Sequence, residues 1–318
     1  MSIIIGAVIA AVLVMLIGLG ISVANLTEPA PPSPGEALLV DEDSKARTAS
    51  MLESDPDAVA AATYLADVPT AIWLTPESYP LESVRELTSE LLGEAKRADA
   101  AATLVIYGLP ERDCGQYSAG GLDPEDYALW TEQIALALAD SPEVKTIIVL
   151  EPDSLALAPE CGNVAERIEQ LSGATDVLIG ENVWLYVDGG HSNWLPASEM
   201  AAMISQIGSD GVRGFATNVS NYNSLDDEVR YAAELSALLD GAHAVVDTSR
   251  SGAGSTGAWC NPPRRLIGEA PATYGDDVVD TNLWVKPPGE SDGTCNGGPA
   301  AGDWWPAAAV ELTRQVVP

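Results

Sequence analysis

Short apolar runs recur along the chain at 69–74, 103–109, 146–151, 183–188, 212–217, 243–248 and 282–286. Between most of them lie Ala-, Leu- and Glu-rich segments whose apolar residues return at helical spacing. These cover 80–99, 123–140, 163–172, 196–208 and 225–240, and a further helix is expected over 43–66. Strands that alternate with helices imply a parallel sheet. Seven such runs fit a closed or nearly closed barrel, so the predicted fold is α/β, a seven-stranded parallel β/α barrel of TIM-like form. The connection 249–281 has no long helical run and is rich in Gly and Pro, which reads as a functional loop region.

Ahead of this alternation, residues 3–25 carry no charge and are long enough to span a bilayer as an apolar helix. No Lys or Arg precedes them, as a cleavable signal would have, yet Ser22-Val23-Ala24 resembles a cleavage site. The expected organisation is therefore a membrane anchor or signal peptide at 1–26, a Pro-rich linker at 27–38 and one globular domain at 39–318. Either form of the leader places the domain outside the cell, secreted or held at the cell surface. The four cysteines, at 114, 161, 260 and 295, then suggest two disulfides. None forms a CxxC pair, and only His191 and His243 stand beside them as nitrogen ligands, so no metal site is expected.

Charge narrows the partners. The 47 acidic residues against 15 basic ones give a net charge of −32, a field that repels a phosphate backbone and excludes nucleic acid. A solvated acidic surface is the simplest use of it. Eight Trp beside a single Phe is unusual for core filling alone. Aromatic faces also stack on sugars.

Polar groups gather where the predicted strands end. Arg112 and Asp113 follow the second run and Asp153 the third. Asp188, His191 and Trp194 follow the fourth, and Asn218 and Asn221 the fifth. Asp247 and Arg250 follow the sixth, and Lys286, Glu290 and Asp292 the last. In a parallel barrel these ends meet on one face, where active sites form. The third run passes straight into Glu151-Pro152-Asp153, which is expected to deliver carboxylates into the shared cleft. Pro152 bars Glu151 from helical geometry and holds Asp153 at the rim. A lone Asp here would cap the following helix; several carboxylates at successive strand ends point to a site. Acid–base hydrolysis is the expected chemistry, with glycoside cleavage its main form with paired carboxylates. Asp153 is the expected acid, kept protonated by the negative charge of Asp113 and Asp188, with Arg112 holding Asp113 ionised.

Val105 to Cys114 fits V-x-Y-x-x-P-x-R-D-C, a signature of glycoside hydrolase family 6, and Ile147 to Ala156 fits the second signature, an apolar run ending in EPDSL. VDGGHSNWL at 187–195, ATNVSNY at 216–222, DTSRSG at 247–252 and WVKPPGESDGTC at 284–295 also resemble that family, in family order. The resemblance implies a distorted seven-stranded barrel and inverting hydrolysis of β-1,4-glucan, without a cofactor. It implies that Asp153 is the general acid, that Asp113 raises the acid's pKa, and that Tyr107 lies beside the distorted sugar. For the base it implies either Asp292 or a water chain to Asp113 through Ser118. Trp73, Trp194 and Trp259 resemble stacking platforms, and Asp188, His191, Asn221, Lys286 and Glu290 resemble substrate contacts. The cysteines resemble the family's pairs Cys114–Cys161 and Cys260–Cys295. The chain departs from the pattern at Leu74-Thr75, where many members carry Asp, and at Gly108 and Gly189.

Exo-acting members enclose the glucan with long loops. The short stretch between Cys260 and Cys295 therefore points to an open cleft and an endoglucanase, acting as a monomer. The alternatives are a membrane-tethered glucan-binding protein without catalysis and a hydrolase for another β-glucan.

Overall fold

The computed structural model describes residues 29–115, 120–208 and 211–317. Pro32–Pro318 forms one compact unit. The predicted apolar helix and membrane segment lie outside the described residues. No described helix is long and apolar enough to cross a membrane.

Seven strands form one parallel sheet in strict sequence order. They are β1 (Ile72–Leu74), β2 (Ala102–Ile106), β3 (Thr146–Leu150), β4 (Val183–Asp188), β5 (Val212–Thr217), β6 (His243–Asp247) and β7 (Val279–Leu283). No ladder joins β7 to β1 among the described residues. The seam is spanned by the Ala71 N–H donating to the Trp284 carbonyl at 2.8 Å and the Trp73 indole donating to the Val285 carbonyl at 2.9 Å. Side chains alternate across the sheet with the strand period of two. Val105, Ile147, Val149, Tyr186 and Val245 fill the barrel. Leu104, Ile106, Ile148, Leu150, Leu185 and Val246 pack outward against the helices.

The helices are α1 (Lys45–Leu52), α2 (Pro56–Ala66), α3 (Val84–Ala98), α4 (Pro124–Ala139), α5 (Ser154–Cys161), α6 (Val164–Leu178), α7 (Ala197–Ile204), α8 (Leu225–Leu238) and α9 (Pro306–Thr313). The single helix expected over 43–66 is broken in two. Asp55 caps α2 by accepting from the Asp57 N–H at 3.0 Å, and Pro56 lacks the N–H that a continuous helix needs. Two helices go beyond the periodic pattern: short α5, which carries Pro159, and α9. Trp284 is buried with Ala46, Ala61, Leu65 and Ala309 in a third cluster beside the seam.

The last strand lies three residues earlier than its apolar run. β7 carries Asp280, Thr281 and Asn282, which hydropathy disfavours but which all have partners. Asp280 accepts from the Tyr186 hydroxyl at 2.6 Å and from two Arg213 nitrogens at 2.8 and 2.7 Å. Gly214 pairs with His243 so closely that a Cβ would lie 1.7 Å from the His243 carbonyl oxygen. The second half of the expected linker is bonded to the barrel: Gly35 N–H to the Ala272 carbonyl at 2.8 Å, Ala101 N–H to the Ala37 carbonyl at 2.7 Å, and Lys145 to Glu36 at 2.7 Å.

Candidate active site

Acidic groups at or after the ends of β2, β4 and β7 act on Asp153, which follows β3. Its proton affinity is raised well above the carboxylate range, first by burial and then by the charges of Asp188, Asp113 and Asp292. Crowding is the cause expected from the sequence; desolvation is the larger one. Asp153 occupies the N-cap position of α5 with φ 68, yet its carboxylate makes no capping bond. The side chain is thus not used to close the helix.

Glu151 departs from expectation. It adopts φ 50 and is fully buried, so it does not enter the cleft. Its carboxylate accepts from the Gly108 N–H at 2.9 Å and the Leu109 N–H at 3.3 Å, while its own N–H donates to the Ile106 carbonyl at 2.9 Å. Burial pushes its pKa to about 7 against the pull of those two N–H groups. The strand end therefore delivers one carboxylate to the site. The other ties the β2 loop to β3, which fixes Asp113 and Asp153 on one frame.

Asp188 ends β4 and lies beneath Asp153. Its Oδ2 accepts from the Asp153 N–H at 3.0 Å and the Gly190 N–H at 3.1 Å, and it is 1% exposed. Burial pushes its pKa to about 7, with the Glu228 charge adding to the effect. On the β2 side, the Tyr107 hydroxyl donates to Asp113 Oδ2 at 2.9 Å. Arg112 sits 4.7 Å from the Tyr107 ring centroid and bonds the Tyr107 carbonyl at 3.0 Å. It pairs at 2.7 Å with Glu77, a residue that no pattern in the sequence marks.

Asp292 is held differently. Arg250 bonds its Oδ1 at 2.8 Å, and the Tyr222 hydroxyl and Asn261 N–H bond its Oδ2 at 2.7 and 2.9 Å. Burial favours the neutral form, but the Arg250 and Lys286 charges and these bonds outweigh it and hold the carboxyl below its ordinary range. Arg250 is itself 2% exposed and lies 4.1 Å from the Tyr222 ring centroid.

Residues 35–316 match the profile of Glycosyl hydrolases family 6. The chain belongs to that family. It is 39% identical over 250 residues to Endoglucanase A of Cellulomonas fimi, covering 76% of this chain and 55% of that protein. It is 35% identical over 276 residues to Endoglucanase A of Thermobispora bispora, covering 83% and 59%. The chain thus spans little more than half the length of these two curated relatives. The endoglucanase Cel6 of Mycobacterium tuberculosis, solved in complex with methyl-cellobiosyl-4-deoxy-4-thio-β-D-cellobioside, superposes with a TM-score of 0.82 at 38% identity, over 89% of this chain and 98% of that one. A variant of the cellobiohydrolase Cel6A from Humicola insolens in complex with methyl-tetrathio-α-D-cellopentoside gives 0.79 at 30% identity, over 90% and 98%.

Both disulfides of this family 6 chain pair as the resemblance implies. Cys114–Cys161 ties the β2 loop to the end of α5, and Cys260–Cys295 joins the loops after β6 and β7. Trp73 packs edge-on against Tyr107 with centroids 5.2 Å apart. His191 and Trp194 lie 5.3 Å apart, and the His191 Nδ1 accepts from the Asn193 N–H at 3.2 Å. Burial lowers the His191 pKa to about 4, so the ring is neutral at pH 7. Lys286 reaches Glu290 at 3.6 Å, Glu290 also meets Lys45 of α1 at 3.5 Å, and Asn221 bonds the Val219 carbonyl at 3.0 Å. Trp259 is 47% exposed. Ser118 lies outside the described residues.

Asp247 is another buried carboxylate. It accepts the Ser220, Ser249, Val285 and Lys286 N–H groups at 2.9–3.2 Å and so stitches the ends of β5, β6 and β7. Its place at a strand end is legible in the sequence, but nothing there separates such a stitch from a catalytic group.

Proposed function

We propose that this chain hydrolyses β-1,4-glucosidic bonds in cellulose or a related β-glucan, with inversion and from an open cleft, as an endoglucanase. The observation that carries the reading is Asp153: an uncommitted carboxyl at the barrel mouth, kept protonated by burial and by the negative groups Asp188, Asp113 and Asp292. Such a group can donate its proton to the glycosidic oxygen as the bond breaks. Asp113, oriented by Tyr107, takes up the proton of the attacking water through a water chain in this reading, with Ser118 as its relay. Asp292 is a poor base, because a carboxylate with depressed proton affinity and three donors has little drive to accept another proton. Arg112 sets Tyr107 and the β2 loop. Trp73, Trp194 and Trp259 offer stacking faces, while His191, Asn221, Lys286 and Glu290 offer hydrogen bonds to sugar hydroxyls.

The endo reading is supported by the short stretch between Cys260 and Cys295 and by the higher identity to proteins named endoglucanase. The enzyme acts as a monomer outside the cell, and at the membrane surface where residues 3–25 are retained. The experiment is product analysis by NMR on soluble cellulose, joined to viscometry. Initial release of the α-anomer with rapid viscosity loss is expected. Release of the β-anomer would overturn inversion, and cellobiose release at constant viscosity would overturn the endo mode.

A further inference from the structure

One buried acid has no part in the chemistry above. Glu228 lies in the first turn of α8 with its side chain facing the barrel, fully buried. No ion pair to it is present among the described residues. Its Oε1 accepts from the Ser192 N–H at 3.1 Å, and the Ser192 and Thr217 hydroxyls lie beside the carboxylate and favour its charged form. Placing an acid there is costly, since an unpaired buried carboxyl loses its hydration. Burial pushes its pKa to about 7. Helix capping does not explain it, because Ser224 caps α8 by accepting from Asp227.

What Glu228 holds is the loop after β4. That loop begins at Asp188, which lies beneath the Asp153 backbone, and runs through His191 to Trp194. Three contacts pin it from outside. Glu228 takes the Ser192 N–H, the Tyr231 hydroxyl one turn along α8 donates to the Gly189 carbonyl at 3.1 Å, and Asn193 donates to Asn223 at 2.7 Å. Within the loop, Asp188 Oδ2 accepts both the Gly190 and Asp153 N–H groups, so a shift of residues 189–192 is passed directly to Asp153.

We infer that Glu228 is a positioning residue for the acid: from α8 it fixes Ser192, and through the 188–192 loop it sets the placement of Asp153 and of the His191–Trp194 pair. The inference rests on the reading of Asp153 as the acid. A displacement on the order of 1 Å at such a site costs on the order of a hundredfold in rate.

Two substitutions in the full chain separate reach from charge. Glu228→Gln keeps an oxygen at the distance of the Ser192 N–H and removes the charge. Glu228→Asp keeps the charge and withdraws the oxygen by one methylene. The brace requires that Glu228→Gln stay within about threefold of the parent in kcat, while Glu228→Asp falls on the order of tenfold or more in kcat with a raised KM. The second readout needs no turnover. His191 is one of only two histidines, so its imidazole titration can be followed by NMR against a His191→Gln control. Its pKa is about 4 because it is buried. It should stay there in Glu228→Gln and rise towards the ordinary 6.5 in Glu228→Asp as the loop loosens. Equal impairment of both variants, impairment of Glu228→Gln alone, or an unmoved His191 titration in Glu228→Asp would each overturn the brace. Should the parent chain fail to cleave β-glucan, the proposed function falls, and the His191 titration still decides whether Glu228 holds the loop.

Discussion

The Asp153 backbone N–H donates to Asp188 Oδ2 at 3.0 Å, so the proposed acid rests on a second buried carboxylate. The contact fixes where Asp153 stands, and the Asp188 charge opposes the loss of its proton. In Asp188→Asn the amide oxygen can still accept that N–H while the charge is gone. In the proposed mechanism Asp153 must be protonated to act, so activity should be lost as pH rises through its pKa. Removing the Asp188 charge lowers that pKa. The alkaline limb of the pH–kcat profile should therefore move to lower pH in Asp188→Asn, with KM little changed. An alkaline limb that stays in place or moves upward would separate Asp188 from the acid.

Asp153→Asn removes the transferable proton and leaves the shape. Loss of general-acid assistance costs roughly 10²–10⁴-fold in kcat. The loss should be largest on unactivated glucan and smallest on substrates with a good leaving group. Calorimetry should show cello-oligosaccharide binding within a few-fold of the parent. Full activity in this variant would remove the acid assignment.

The pair Asp292 and Arg250 makes a different kind of prediction. Both side chains are buried, at 7% and 2% exposure, and the Arg250 Nε already lacks a partner. Asp292→Ala strands a buried guanidinium, a change that costs about 3–5 kcal/mol. For a chain of this size that is a fall in melting temperature on the order of 10 °C. Asp292→Asn keeps an acceptor for Tyr222 and Asn261 and should lose less. Calorimetric melting of the two variants checks the order.

Much of this site is legible in the amino-acid pattern, because strand ends of a parallel barrel must share a face. Asp113, Asp153, Asp188 and Asp292 group together on that ground, and electrostatic coupling to Asp153 unites them. What the pattern does not reveal follows from the same physics. Glu151 belongs to the same strand end as Asp153 but turns inward, because Gly108 and Leu109 offer it N–H groups from the loop after the neighbouring strand β2. Those donors are more than 40 positions away in sequence. Glu77 and Glu228 escape the pattern for the same reason: their partners, Arg112 and Ser192, are distant in sequence. β7 starts earlier than its apolar run because its polar residues are satisfied by Tyr186, Arg213 and the 270–274 loop, and hydropathy cannot see a partner.

The two disulfides close loops with sequence separations of 47 and 35. Chain-entropy arguments assign each about 4 kcal/mol of restraint on the unfolded chain. Both also tie loops that carry site residues: Cys114 follows Asp113, and Cys295 lies three residues beyond Asp292. Paired Cys→Ser replacement of either bridge should therefore lower the melting temperature and also raise KM at temperatures well below the melt. A loss of stability with unchanged KM would limit the bridges to a stabilising role.

Buried acids and the net charge combine to set how stability depends on solution conditions. Burial is the main reason that Glu151, Asp188 and Glu228 each reach a pKa of about 7. A carboxyl whose folded pKa is raised binds more protons folded than unfolded between its ordinary value and its folded one. Stability therefore falls as pH rises from about 4 to 7. Asp292, held low, contributes stability that is present above its ordinary pKa and is lost only as pH falls through its folded value. Self-repulsion at net charge −32 acts in the same direction as the raised acids, since every ionisation adds to it. The melting temperature should thus be higher at pH 5 than at pH 8. Salt separates the two causes. Screening length falls from about 10 Å at 0.1 M to about 3 Å at 1 M, which weakens repulsion between surface charges but hardly reaches buried ones. Raising salt at pH 8 should therefore raise the melting temperature and narrow the gap to pH 5 without closing it. A gap that vanishes at 1 M salt would assign the whole dependence to the surface, and one indifferent to salt would assign it to the buried acids.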